Sequence, residues 1–454
     1  MAIRIKILGG FQEVGANSAF ININNTGIII DAGLHPIKRD KEAFPKYELL
    51  KDEPVDFLII THAHTDHIGA LPYLLKLFPH IKILAHKATS YLIDIMIKDT
   101  IKILNSQIKE EFSEEILSLY NKEILEKINM IIDEMQFFDE KVILGKRGTS
   151  DIILKLFPAG HILGAASVYL ESDGKTLLHT GDINFQNQPL LPKSQLPNHH
   201  LDVIITESTN CGSNESIGFN EENKKKFASI INDISNKNGS ILIPAFSLGK
   251  TQELLTLVYN LQKSGKIPFL PIYTGGLGSR ISQIYDRFCY TTPRINPGFE
   301  VSDIPTIYLD EETMNQEKYL KSPAIVIVSN GMMHQKTKSY SLAKKWFASK
   351  ESGIIFTGYV QENTPGFQLK NSELNKIFQF GEQKAKRNCR IESVRLSMHC
   401  TIDDLNNYIL DVKPKNLIIV HGSEESNFEL ANIVHSSLPK TRVIIPYSNN
   451  DIIV

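Results

Sequence analysis

Three histidines and an aspartate, His62, His64, Asp66 and His67, fall within six consecutive residues of the stretch THAHTDHIGALP. The apolar run VDFLII precedes it, so the cluster opens where a buried-type strand ends. Alternate residues of an extended segment point the same way, which lets His62 and His64 converge on one ion. Asp66 and His67 lie where a helix begins and can aim at a second point. Imidazole nitrogen and carboxylate oxygen are ordinary zinc ligands. For a single histidine, a satisfied polar loop is the simpler reading; this spacing behind a buried strand favours a metal.

Two metal points need further ligands, and later strand ends offer them. FPAGHILGAAS places His161 after a strand, LLHTGDINF places Asp182 there, and NLIIVHGSE places His421 at the end of a third. His86 and His179 are equally bare candidates, for which a core or surface role is the plainer account. Together these ligands describe a two-metal site, with ions about 3.5–4 Å apart and a hydroxide between them. Such a pair makes a nucleophile at neutral pH and clamps a phosphoryl oxygen.

The elements that must position these groups can be read from the same patterns. Residues 1–35 read as short strands, IRIKILGG, NSAFININ and TGIIIDAG, punctuated by Gly9-Gly10 and Asn24-Asn25. HIGALPYLLKLF has helical apolar spacing, KILAH is a strand, and 88–135 read as helices with polar faces. Strands resume at DIILKLFPAG, ASVYLES, TLLHTGD and DVIITES. After about residue 210 strands and helices alternate, which predicts a parallel sheet with crossover helices. CRIESVRLS, LIIVHG and RVIIPY then return to strands, separated by the helices TIDDLNNYIL and SNFELANIVHSS.

Composition bounds the answer. The 454 residues correspond to about three domain equivalents. With 42% hydrophobic and 22% charged residues the chain is globular, with ample core. No stretch approaches the ~20 apolar residues that span a bilayer. MAIRIKILGG alternates apolar and charged residues like a strand, not like a signal peptide, so the expected compartment is the cytoplasm. Cys211, Cys289, Cys389 and Cys400 form no CxxC, against a disulfide framework or a thiolate zinc knuckle. A net charge of −2 does not advertise a nucleic-acid binder, and basic runs such as Lys224–Lys226 read as solvated faces.

The quoted motifs carry a family resemblance. His62, His64, Asp66 and His67 resemble the HxHxDH signature of the metallo-β-lactamase fold, and Asp31, His161 and Asp182 match the motifs around it. Glu207 in ITEST, His399 in LSMHC and His421 in IVHGS resemble motifs A, B and C of the β-CASP group of metallo-β-lactamase-fold nucleases. GHILGAASVYL, DVIITEST, PAFSLGKTQELL, NGMM and GYVQENTPG resemble its cleavage-and-polyadenylation endonuclease branch, including archaeal and bacterial relatives. The likeness runs over almost the whole chain, in order.

The resemblance implies an α/β protein: an αββα metallo-β-lactamase sandwich over 1–208 and 380–454, with an inserted β-CASP domain, a parallel α/β sheet, over 209–379. It implies an active site in the cleft between them. One zinc ion would take His62, His64 and His161, a second Asp66, His67 and His421, and Asp182 would bridge them. Asp31 would orient ligands or the hydroxide. His399 would protonate the leaving oxygen as general acid, with Glu207 holding it charged. A histidine at position 421 accompanies RNA-acting members, so the implied partner is single-stranded RNA. The cut would be endonucleolytic, with 5′-to-3′ exonuclease activity open in the same framework. Family relatives often dimerise, so a homodimer is compatible with the likeness.

Ser247, Gly249 and Lys250 at one helix start, and Arg280 after GGLGSR, suit phosphate contacts or, equally, structural strand-to-helix turns. The chain departs from the family at Thr401, where an aspartate is usual, and at Pro365 and Gln368, near which a basic residue is often found. Metal chemistry therefore reads as intact and substrate handling as drifted. The rival readings are a small-molecule metallohydrolase acting on a thioester or lactone, and a non-catalytic RNA-binding paralogue.

Overall fold

The computed structural model describes residues 3–106, 108–213, 215–447 and 451–454. The chain divides into two units. The first comprises Met1–Phe185, Lys193–Asn214 and His399–Val454; the second comprises Gln186–Pro192 and Glu215–Met398.

The first unit is built on two seven-stranded sheets. One runs in the order Ile452–Ile453, Arg4–Gly9, Ser18–Ile23, Thr26–Ile30, Phe57–Ile60, Lys82–His86, Ile132–Met135. The other runs Arg442–Ile444, Asn416–Val420, Val203–Glu207, Lys175–His179, Ala166–Ser172, Ile152–Pro158, Glu140–Ile143. Ile5, Ile7, Ile21, Ile28 and Ile59 of the first sheet pack with Leu154, Leu156, Val168, Leu170, Ile205 and Ile418 of the second in one buried cluster. The alternate residues Leu178, Ile204, Leu417 and Ile419 pack instead with Leu405, Ile409, Leu430 and Val434 of the helices Ile402–Val412 and Glu424–Ser437. Burial on both faces explains why these strands read as unbroken apolar runs. On the other sheet the helix Lys87–Ser106 lies over Lys82–His86 and Ile132–Met135. The layering is αββα, as expected. One local reading is corrected: Ile132–Met135, expected to be helical, pairs in parallel with Lys82–His86. The open sheet edge took a segment whose local periodicity favours helix.

The second unit holds a six-stranded sheet ordered Thr306–Tyr308, Ile272–Thr274, Ile325–Val328, Ile241–Pro244, Gly353–Phe356, Arg390–Ser393. Every pairing is parallel, as the strand–helix alternation predicts. Leu242, Val326, Val328, Ile354 and Phe356 form its core with Leu342, Trp346 and Phe347 of the helix Lys338–Phe347. Residues 380–398, read from sequence with the C-terminal return, lie within this unit, because Arg390–Ser393 continues the parallel ladder beside Gly353–Phe356.

Candidate metal centre

The site lies at strand ends of the first unit. The strand Phe57–Ile60 is fully buried and stops at Thr61, whose N–H and O–H donate to the two oxygens of Asp31 at 2.8 and 2.7 Å. His64 keeps extended backbone angles, and the short helix Thr65–Ile68 starts directly after it. His62 therefore points to one place and Asp66 and His67 to another, as the local sequence predicts.

Long-range contacts complete two clusters. His62 Nε2 lies 3.0 Å from His64 Nδ1, and His161 Nε2 lies 3.2 Å from the same atom. Asp182 Oδ2 is 3.5 Å from His62 Nε2 and 3.6 Å from His161 Nε2. One donor atom from each of these four residues falls within 4.8 Å of all the others. Asp66, His67 and His421 form a second such group. Asp66 Oδ2 is 3.4 Å from His421 Nε2 and 3.7 Å from His67 Nε2. The other oxygen of Asp182, Oδ1, is 3.0 Å from His421 Nδ1 and 3.3 Å from His67 Nε2. Asp182 thus presents one oxygen to each cluster.

These residues fit metal ions. Ligands at about 2.1 Å on a tetrahedral ion stand about 3.4 Å apart, which is the spacing of the donors here. Asp182 Oδ1 and His421 Nε2 are buried and make no well-aligned hydrogen bond, although charged partners stand 3.0 and 3.4 Å away, an arrangement that a cation between the donors would satisfy. Burial holds His62 well below the ordinary histidine pKa, keeping a lone pair available. Asp182 is buried and Asp66 half-buried, and desolvation would raise both carboxyls, yet the surrounding imidazoles hold them below the usual range. Burial would depress His421, but Asp182 outweighs it and pushes the ring up to about 10, so a metal there competes with a proton.

Asp31 meets the cluster through His67, whose Nδ1 lies 2.7 Å from Asp31 Oδ2. Its own backbone sits at φ 62° at the end of the strand Thr26–Ile30. Glu207 ends the strand Val203–Glu207 and is 2% exposed. Its Oε1 accepts from Ile183 N–H at 2.7 Å, and its two oxygens lie 3.0 and 2.9 Å from His399 Nδ1. His399 Nδ1 is 3.9 Å from Asp182 Oδ2. Burial would lower the His399 pKa, but the charge and hydrogen bond of Glu207 raise it above the ordinary value. Thr401, at the departure from the family pattern, caps the helix Ile402–Val412 by accepting from Asp404 N–H. The support of His399 comes from Glu207, and Thr401 starts the helix that follows.

Two residues that sequence reasoning passed over belong here. Thr61 holds Asp31, and its place directly before HxH is the one signal that points to it. Asn17 lies 3.1 Å from His67 Nε2, and nothing local in the sequence announces it. His86 and His179 fall outside the clusters. His86 stacks on Phe137, His179 Nδ1 accepts from Gly181 N–H, and burial pushes both down to about 4.

In the second unit, Gly249 caps the helix Lys250–Lys263 at φ 83° and donates its N–H to Gln252. Ser247 is half-buried, and Arg280 is exposed on the helix Leu277–Arg287. Of the two readings open for Lys250, phosphate contact or structural turn, its surroundings suit the structural one. It is 4% exposed, donates to the Leu396 carbonyl and lies over the Phe219 ring, and burial pushes it down to about 7. Its ammonium is spent inside the unit.

Three family models match in order along the chain: the metallo-beta-lactamase superfamily over residues 12–208, the Beta-Casp domain over 251–369, and the Zn-dependent metallo-hydrolase RNA specificity domain over 384–446. Among curated proteins, the chain is 29% identical to cleavage and polyadenylation specificity factor 73 of Drosophila melanogaster, over 94% of this chain and 61% of that protein. It is 27% identical to an RNase J-like protein of Methanocaldococcus jannaschii, over 96% of each. It is 28% identical to transcription termination factor FttA of Pyrococcus horikoshii, over 95% of this chain and 68% of that protein. The chain thus spans less than two thirds of the fly relative's length and nearly all of the RNase J-like protein's. A crystal structure of a protein of unknown function from Enterococcus faecalis shares the fold over the full length of both chains, at TM-score 0.62 and 12% identity. Among the described residues, no helix is long and apolar enough to cross a membrane. The chain thus carries a metallo-beta-lactamase domain, a Beta-Casp domain and an RNA specificity domain, in that order.

Proposed function

We propose that this chain is a zinc-dependent ribonuclease that hydrolyses phosphodiester bonds of single-stranded RNA, cutting internally, with 5′-to-3′ exonuclease action available to the same site. The observation that carries this reading is the Glu207–His399 pair, 2.9 Å apart and beside Asp182. A thioester or lactone hydrolase has less need of a held cationic acid, because its leaving group departs more easily than a ribose alkoxide. The names of the relatives and the RNA specificity domain over 384–446 favour RNA.

His62, His64 and His161 would hold one ion and Asp66, His67 and His421 the other, with Asp182 facing both. Two zinc ions would supply Lewis acidity, neutralising phosphoryl charge and lowering the pKa of water. Asp31 keeps the His67 ring oriented through Nδ1. Water gives up one proton to solvent and its oxygen adds to phosphorus, as the bond to the leaving ribose oxygen breaks with its electron pair on that oxygen. Glu207 engages Nδ1 of His399, so the proton passed to that oxygen is the one on Nε2. Ile183 N–H fixes the Glu207 carboxylate and hence the direction of the imidazole.

The test is cleavage of single-stranded RNA labelled at the 5′ or the 3′ end, beside a nitrophenyl phosphodiester and a panel of thioesters and lactones. Internal fragments from both labels support the reading, and mononucleotides from the 5′ end alone assign the exonuclease mode. Turnover confined to the small esters overturns it.

A further inference from the structure

In the second unit, the strand Ile272–Thr274 runs through Gly275 and Gly276 into the helix Leu277–Arg287. Tyr273 belongs to the core built around Trp346 on one face of the sheet, so Thr274 turns to the other face. The helices Lys250–Lys263 and Leu277–Arg287 lie on that other face. Their crossovers run the same way along the sheet, opposite to that of Lys338–Phe347. They also touch, since the Gln252 amide donates to the Gly278 carbonyl at 3.0 Å.

Thr274 is 5% exposed, and its Oγ1 is buried with no hydrogen-bond partner among the described residues. Valine has nearly the same shape and would fill this strand end without stranding a hydroxyl. Packing alone therefore gives no reason for threonine. Ser279, third in the helix, likewise has a buried Oγ with no partner among the described residues. Gly276 enters the helix at φ 73°, a conformation that favours glycine, and a Cβ on it would meet nothing within 4 Å. Among the described residues no side chain caps this helix start, so its first N–H groups are left as donors.

The charge around the loop suits an anion. Arg280 is exposed on the first turn, and the helix dipole adds to it. Lys338 Nζ donates to the Leu309 carbonyl, whose oxygen would lie 3.2 Å from a Cβ on Gly275. Asp310, on the same neighbouring loop, accepts Thr313 N–H at 2.8 Å and is occupied at the start of its own helix, Glu311–Gln316.

We propose that Thr274, Ser279, Arg280 and the first-turn N–H groups of Leu277–Arg287 form a subsite for a phosphate of the RNA strand. This deepens the ribonuclease reading above and rests on it. Donors of this kind hold the strand without reading its bases, so their loss is felt in KM.

The experiment uses the full metal-loaded chain and labelled single-stranded RNAs carrying a 5′-hydroxyl or a 5′-monophosphate. kcat and KM are measured for the wild type, Thr274→Val, Thr274→Ser and Arg280→Gln, with circular dichroism to confirm folding. Thr274→Val is expected to raise KM about 10-fold, the scale of one hydrogen bond to a charged group, with kcat held. Thr274→Ser keeps the hydroxyl and should keep KM. Arg280→Gln should raise KM and reduce its log–log dependence on salt by about 0.7, the share of one phosphate contact on a single strand. An equal rise on both RNAs assigns an internal phosphate, and a rise confined to the 5′-monophosphate RNA assigns the terminal one. A wild type that leaves RNA uncut overturns the ribonuclease reading and the subsite with it. If the wild type cuts RNA, an unmoved KM in Thr274→Val, the same rise in Thr274→Ser, or an unmoved salt dependence in Arg280→Gln overturns the subsite alone.

Discussion

Replacing His399 by alanine removes an imidazole that touches Glu207 and stands 3.9 Å from the nearest carboxylate oxygen of Asp182. It deletes none of the seven donors His62, His64, Asp66, His67, His161, Asp182 and His421. Metal content should therefore stay at the wild-type level while the proton donor is lost. A positioned general acid contributes about 10²–10⁴-fold, or about 3–5 kcal/mol at about 1.4 kcal/mol per decade. That loss is expected on RNA, whose leaving oxygen is a strongly basic alkoxide. On a nitrophenyl phosphodiester the leaving group departs without a proton, so the loss should stay under about 10-fold, the remainder of the general-acid range being unused. The assay is kcat on both substrates with metal measured on the same preparation. Equal losses on the two substrates, or a fall in bound metal, would refute the assignment of His399 as acid.

Two further outcomes follow from the same geometry. Thr401→Ala should cost about 1 kcal/mol in a denaturant melt, as loss of a helix cap does, while leaving the RNA cleavage rate near wild type; a large loss of rate would show that Thr401 serves His399 after all. Lys250 is pushed down to about 7 from 10.5 by burial. Between those values the unfolded chain holds a proton that the folded chain lacks, so folding stability falls as pH drops through the window, by about 1.4 kcal/mol per pH unit. Lys250→Met removes this dependence, so urea unfolding between pH 7 and 10 should show the wild type gaining on the variant as pH rises. A difference that stays flat across the range refutes the buried, neutral lysine.

Much of the site was legible because its chemistry is local. HxHxDH carries its own geometry: extended residues alternate, and the helix start redirects Asp66 and His67. Parallel strands buried on both faces announce themselves as apolar runs, and functional groups gather where those runs end. Lys250 stayed open between two roles because a lysine at a helix start looks the same in sequence whether its amine faces solvent or a buried carbonyl. Ile132–Met135 misled because a sheet edge can recruit a segment whose own periodicity favours helix.

The sequence alone determined which candidate donors exist and their order, and the motifs that mark the metallo-beta-lactamase and Beta-Casp domains. Tertiary structure decided how those donors divide. Asp182 turns one oxygen to each cluster only because the strands before His161, Asp182 and His421 lie in one sheet, each separated from the next by a single strand, although 239 positions separate Asp182 from His421. Glu207 reaches His399 across 192 positions of the chain, and Asn17 reaches His67 across 50. Contacts of this kind join residues far apart along the chain, and no local pattern of charge or hydrophobicity encodes which strand end will face which.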